Sequence, residues 1–294
     1  MPELPDLTIY RDALVARIRG RRLDRVRIVN PFVLRTAVPP LAEVEGRDVV
    51  DVRRLGKRIV LALPGEYFLV LHLMVAGRLR WQDRGARTPA RITLAVLEFA
   101  NGNLVFTEAG TKRRASLHCV HGEAALGAFD AGGLEVINID LETFAARLTS
   151  ESHTLKRALT DPRLFSGIGN AYSDEILHRA RLSPIALTGK LDPFEIARLH
   201  AAVRSVLVEW TERLRADAGD ELPDKVTAFR PEMAVHGRFG KPCSVCGAPV
   251  QRIVYAENEC NYCARCQNGG VILADRALSR LLHKSWPRSI DELG

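Results

Sequence analysis

Phe165-Ser166-Gly167-Ile168-Gly169-Asn170-Ala171-Tyr172-Ser173-Asp174-Glu175 reads as a turn that passes straight into a helix. Two glycines separated by one residue permit a tight turn and close approach of a second backbone. A helix beginning near Asn170 aims its free N–H groups and positive dipole end out of that turn, where an anion can dock. The same residues also suit an ordinary corner between two helices, and the turn alone does not choose between the two. Helical signals surround it, over residues 141–148, 154–159, 170–180 and 193–218. The last of these opens with Asp192 as N-cap and Pro193 in its first turn. The middle of the chain is therefore helical, with the glycine turn inside it.

Toward the amino terminus the pattern changes. Residues 6–19 carry Ile9, Tyr10, Leu14 and Ile18 at near-helical spacing, and Gly20 is placed to stop that helix. From about residue 23 to 117 short apolar stretches follow one another, among them 58–63, 67–73 and 92–99, broken by Pro64-Gly65 and Asn101-Gly102. They read as antiparallel strands of a sandwich or flattened barrel, with Asn101-Gly102 as a hairpin turn. Residues 122–138, containing Asp130-Ala131-Gly132-Gly133, form the linker to the helical part, and Gly219 to Pro231 reads as a polar loop.

A length of 294 residues fits two domains and a small metal module. The chain holds 42 Lys and Arg against 35 Asp and Glu, a net charge of +7, which favours a polyanionic partner. No run of 18 apolar residues occurs, and the start lacks the basic and apolar regions of a secretory signal, so a cytoplasmic protein without a membrane partner is expected. Five of the six cysteines crowd into residues 243–266 in CxxC spacing, which fits metal binding in a reducing compartment better than disulfides. In Cys243-x2-Cys246-x16-Cys263-x2-Cys266 two turns can project four sulfurs onto one ion, the closed tetrahedral arrangement of a structural Zn2+ site. Pairing Cys260 with Cys263 would orphan Cys266, so Cys260 is left out. Cys119 reads as a buried small hydrophobe.

The chain begins Met1-Pro2-Glu3-Leu4-Pro5-Asp6. An α-amine is a better nucleophile near neutral pH than lysine, because more of it is uncharged. A prolyl nitrogen that attacks a sugar C1′ gives an iminium that keeps its charge and acidifies the neighbouring C2′ proton. Glu3 is necessarily close to that nitrogen and can shuttle protons. By itself Pro2-Glu3 is an unremarkable start, and the chemistry also needs Met1 removed. Lys57, among Arg53, Arg54 and Arg58, suits a solvated basic edge or a phosphate contact. His72 alone suits a half-buried histidine at a strand end.

Pro2-Glu3-Leu4-Pro5, Lys57 after Gly56, His72-Leu73, the turn Gly167-Ile168-Gly169-Asn170, Val235-His236-Gly237-Arg238 and the four cysteines together resemble the formamidopyrimidine-DNA glycosylase and endonuclease VIII family, in the same order over residues 1 to about 268. The resemblance implies a multidomain α+β fold: an N-terminal antiparallel β-sandwich with a flanking helix over 1–133, a helix-two-turn-helix domain over 134–234 and a zinc-finger β-hairpin over 235–270. Residues 271–294 remain as a helical extension, with Leu273, Leu278, Leu281, Leu282 and Trp286 at roughly helical spacing. It further implies a monomer that binds damaged double-stranded DNA in the cleft between domains. Pro2 would be the nucleophile of a bifunctional glycosylase and abasic-site lyase, Glu3 the proton donor, and Lys57 a phosphate ligand that assists elimination. His72, Lys156 and Asn170 match positions along the lesion-side phosphates.

The chain also departs from that family. Met74-Val75-Ala76 stands where the purine-specific branch has its inserting methionine, so Val75 or Met74 becomes the wedge. Lys112, Arg113 and Arg114 stand in for that branch's loop arginines without a one-to-one match. The finger arginine is Asn258, which forfeits a guanidinium's charge and fork and predicts a weaker phosphate grip and scission that halts after β-elimination. A binding protein that kept the cleft and lost the base pocket is the competing expectation.

Overall fold

The computed structural model describes residues 1–110, 112–219, 221–223, 226, 229–255, 258–274 and 287–293. The chain forms two compact units, Met1–Ala131 with Trp210–Thr227 and Gly132–Glu209 with Ala228–Gly294.

The first unit opens with helix α1 (Leu4–Ile18), followed by β1 (Leu23–Ile28), β2 (Asp51–Leu55), β3 (Arg58–Leu63), β4 (Tyr67–His72), β5 (Gly77–Gln82), β6 (Thr93–Phe99), β7 (Gly102–Glu108), β8 (Ser116–His121) and the short α2 (Glu123–Gly127). The strands make two four-stranded antiparallel sheets, ordered β1-β6-β7-β5 and β2-β3-β4-β8. Alternation explains why β3 and β4 read as unbroken apolar runs. Leu61, Leu69 and Leu71 enter the main core with Leu97, Phe99, Leu104 and Phe106, and Leu7, Tyr10, Leu14 and Ile18 of α1 join them. Their neighbours Val60, Ala62, Phe68 and Val70 face the other way into a second cluster with Val120 and Leu126, the latter on α2. A sheet buried on both faces needs apolar residues at both parities.

The second unit contains α3 (Leu141–Thr149), α4 (Leu155–Thr160), α5 (Asn170–Ala180) and the first part of α6 (Pro193–Ala218), then the hairpin β9 (Gln251–Tyr255) and β10 (Asn258–Tyr262) and the single turn of α7 (Ala264–Asn268). Side chains set these helix ends. Asp140 Oδ1 accepts from Thr143 N at 2.7 Å and the Thr154 hydroxyl caps α4. Asp192 and Glu195 form a reciprocal capping box, at 2.8 and 3.1 Å. Phe144 and Phe165 stack at 5.0 Å in its core.

Three local differences from the sequence reading have physical causes. Helix α1 begins two residues early because Pro5 is compatible with a first helical turn and Asp6 accepts from Glu3 N at 3.0 Å. The β6–β7 hairpin pairs Phe99 with Gly102, so Ala100 and Asn101 form its turn and Gly102 already lies in the ladder. There the indole of Trp81 lies 2.6 Å from where a Cβ would be, so a larger residue would force that ring to shift. Beyond the finger, Leu273 is buried in the finger core, whereas Leu278, Leu281, Leu282 and Trp286 lie outside the described residues. The chain then returns beside residues 270–272, with Ile272 N donating to Arg288 O and Ile290 N to Gly270 O, and Ile290 closes the same core. Among the described residues no helix is long and apolar enough to cross a membrane.

Candidate active site and metal cage

In the first unit Pro2 and Glu3 are buried, Glu3 with 3% of its surface exposed, because the start of α1 packs directly on the sandwich core. Burial lowers the pKa of the Met1 amine, one residue ahead of Pro2, below the usual α-amine range; Glu3 and Asp6 oppose the shift, and Arg78 and Lys57 add to it. Two cations and two carboxylates thus act on the amino end at once. Lys57 is half-buried on the two-residue turn between Leu55 and Arg58. Arg78 of β5 is held by three backbone carbonyls, those of Val75, Gly77 and Val226. Its place beside the amine was not legible from sequence, where it is one strand arginine among many.

His72 ends β4 opposite Ser116. Its Nε2 is buried and has no hydrogen-bond partner among the described residues. Burial first, then Arg58, Lys57 and His118, push its pKa down to about 4, so the ring is neutral at physiological pH and can donate through Nε2 or accept there. The turn after it is narrow: Gly77 N donates to Leu73 O at 2.8 Å, and a Cβ on Gly77 would lie 2.2 Å from that oxygen. Met74 takes a positive φ of 52°, and Val75 stands out from the tip with 65% exposure. Lys112 and Arg113 are exposed on the β7–β8 connection. Arg113 donates to Arg91 O at 3.0 Å, while the buried carboxylate of Glu108 braces the connection by accepting from Arg114 N and Ala115 N.

In the second unit α5 is buried along almost its whole length although it carries Ser173, Asp174, Glu175 and His178. Such groups need partners, and each finds one. Lys156 Nζ donates to Asn170 O, Ser173 Oγ and Asp174 Oδ1 at 2.7, 2.8 and 2.5 Å, so its ammonium lies on the first turn of α5. Asn170 Nδ2 donates to Glu259 O at 2.8 Å. Asp174 Oδ2 meets His236 Nδ1 at 2.7 Å and accepts from Asn261 N at 3.1 Å. Glu175 accepts from Ala234 N, Val235 N and His236 N at 2.7 to 2.9 Å. Burial raises the pKa of that carboxyl, and the three N–H donors pull it back. Asn258 opens β10 opposite Tyr255.

Cys243, Cys246, Cys263 and Cys266 come together with all four sulfurs within 4.8 Å of one another. The Cys243–Cys266 and Cys246–Cys263 separations are 3.9 and 3.4 Å, close to the roughly 3.8 Å edge of a tetrahedral thiolate cage. Four soft donors with no open position fit a closed structural ion. Cys260 lies away from the cage, buried on β10 opposite Ile253. Cys119 is fully buried in the sandwich core.

Comparison with known proteins now places the chain. Residues 1–114 match the family model of the formamidopyrimidine-DNA glycosylase N-terminal domain, and residues 135–217 match that of its H2TH domain. Both are domains of a class of DNA-binding repair glycosylases. The formamidopyrimidine-DNA glycosylase of Symbiobacterium thermophilum is 32% identical over 291 residues, covering 94% of this chain and 93% of the relative. That of Thermus thermophilus is 34% identical over 284 residues, covering 92% and 100%. The Lactococcus lactis protein, solved in complex with DNA containing an abasic site, has the same fold, with a TM-score of 0.80 at 24% identity over 90% of this chain and 99% of that one. The chain belongs to the formamidopyrimidine-DNA glycosylase family.

Proposed function

We propose that the chain is a bifunctional DNA glycosylase and abasic-site lyase of base-excision repair, with the Pro2 amine, freed by removal of Met1, as nucleophile. The nitrogen attacks C1′ of the damaged nucleotide as the C1′–base bond breaks, and Glu3 delivers a proton toward the departing base. Ring opening leaves an iminium, its charge acidifies C2′–H, and loss of that proton expels the 3′ phosphate by β-elimination. Lys57 serves as phosphate ligand and assists that departure. The observation that carries the reading is the burial of Pro2 beside the buried carboxylate of Glu3, at a chain end on which the charges of Lys57 and Arg78 also act.

The DNA contacts assigned with it are His72, whose Nε2 has no partner among the described residues and suits a phosphate oxygen, Val75 as the exposed wedge, and Lys112 and Arg113 as loop cations. Lys156 and Asn170 set the first turn of α5 as a phosphate cradle, and Asn258 contributes from the finger as a neutral group. The ion in the four-cysteine cage is assigned as one Zn2+, which supplies folding energy and leaves the chemistry to Pro2.

Incubation with duplex DNA containing an abasic site and borohydride tests this. The expected result is a covalent protein–DNA adduct, reduced strongly in Pro2→Gly and absent when Met1 is retained. A Met1-free wild-type protein that binds the same duplex but gives neither adduct nor nick supports the second reading, a lesion-binding protein. The valine at the wedge and the neutral Asn258 are the features that favour it.

A further inference from the structure

We infer that His178 is a positioning residue of the metal cage: its Nε2–H, carried on α5, hydrogen-bonds Cys243 Sγ and sets how firmly that thiolate holds the ion. The inference rests on the cage binding a metal, and it goes beyond the four ligands themselves.

The distance from His178 Nε2 to Cys243 Sγ is 3.3 Å, and both residues are buried, with 6% and 3% of their surfaces exposed. A metal-bound thiolate carries no proton, so the imidazole must be the donor. The two CxxC knuckles supply their own backbone donors in matching fashion. Val245 N reaches Cys243 Sγ and Cys266 N reaches Cys263 Sγ, each at 3.5 Å. His178 is a further donor, and it comes from an element outside the finger, 65 residues away in sequence. Cys243 thereby accepts from both a knuckle amide and a side chain.

Four thiolates around a divalent ion leave two net negative charges, and in a buried setting each N–H directed at a sulfur offsets part of that charge. The donor also ties Cys243 to α5, which holds the surrounding segment at further points. Asn170, Asp174 and His178 follow at four-residue intervals on one face of the helix, and all three bond to residues 236–261. The stripe ends on the cage. Partners of this kind around metal ligands are worth about 10–100-fold in metal affinity.

Cobalt-substituted full-length protein provides the test, comparing wild type with His178→Phe, which keeps the ring's bulk and lacks the donor, and His178→Gln, which restores an N–H at similar reach. The expected outcome is that His178→Phe loses metal to a chelator about tenfold faster and shifts the sulfur-to-cobalt charge-transfer band to lower energy, while His178→Gln recovers most of both. In cadmium-113-loaded wild type, a scalar coupling between the metal and the His178 ring N–H is expected as well. That measurement needs no substitution and decides the matter if His178→Phe does not fold. Unchanged release rate and band position in a folded His178→Phe protein, or no such coupling in the cadmium protein, overturns the inference while leaving the metal assignment standing. A wild-type protein that takes up neither metal overturns both.

Discussion

His72 is a polar ring placed where it gains nothing from water and, among the described residues, nothing from the protein at Nε2. That arrangement has a measurable cost. Its pKa falls from 6.5 in a model peptide to about 4 in the fold, so the unfolded chain binds more protons between those values. The sign follows: stability contributed at neutral pH is lost as pH drops through 6.5 and levels off below about 4. Between pH 7 and pH 5 this one group should remove roughly 2 kcal/mol. His72→Gln should therefore lose less stability than wild type over that interval when urea unfolding is followed at both values, and equal losses would contradict the depressed pKa. Arg78, Glu108 and Glu175 escaped the sequence reading for a related reason. Each matters because it is aimed at particular backbone atoms or charges, and an arginine or glutamate in a strand or helix gives no local sign of its target. Pro2, Glu3 and Lys57 were singled out in advance only because the motifs around them occur in a fixed order.

At the scale of elements, α5 is the member on which the finger is assembled. The four helices of the second unit were legible nearly to the residue because their ends are written in short-range chemistry: Asp140, Thr154 and Asp192 each accept a backbone N–H at an amino end. What the pattern did not reveal is that α5 is buried on its polar side too. Its sequence carries polar residues in runs, Ser173-Asp174-Glu175 and His178-Arg179, and burial of Asp174, Glu175 and His178 becomes apparent only once residues 234–261 supply their partners. Glu175 is the strictest case. Removing its carboxylate leaves three N–H groups without their acceptor, at about 1–3 kcal/mol for each buried unsatisfied group. Glu175→Ala should accordingly raise hydrogen-exchange rates at residues 234–236 by at least a hundredfold, with β3 and β4 of the sandwich unaffected. Protection retained at 234–236 would mean that the amides find other acceptors and that the finger's attachment does not depend on this carboxylate.

For the whole molecule, charge and metal decide different things. The excess of seven positive charges bears on partner choice and gives no information about packing. Nothing in the local pattern assigns Trp210–Thr227 to the unit that holds the sandwich. Leu222 and Val226 enter that core, and Arg215 and Glu221 pair with Asp12 and Arg17 at 2.9 and 2.8 Å, contacts some 200 residues apart. The finger is the opposite case, announced by four residues. Its apolar core is small, drawn from Val235, Val250, Ile253, Tyr262, Ile272, Leu273 and Ile290 around the cysteines. A core of that size does not offset the ordering entropy of the residues it organises unless a bound ion adds its own binding energy. Chelation of the metal should therefore open the finger while the first unit, whose two sheets share a large apolar core, stays folded. Hydrogen exchange before and after chelation checks this: amides of β9 and β10 should lose protection and those of β3, β4, β6 and β7 should keep it. If β9 and β10 stay protected after metal loss is verified by elemental analysis, the contacts from α5 alone hold the finger, and the cage is an accessory to a module that folds without it.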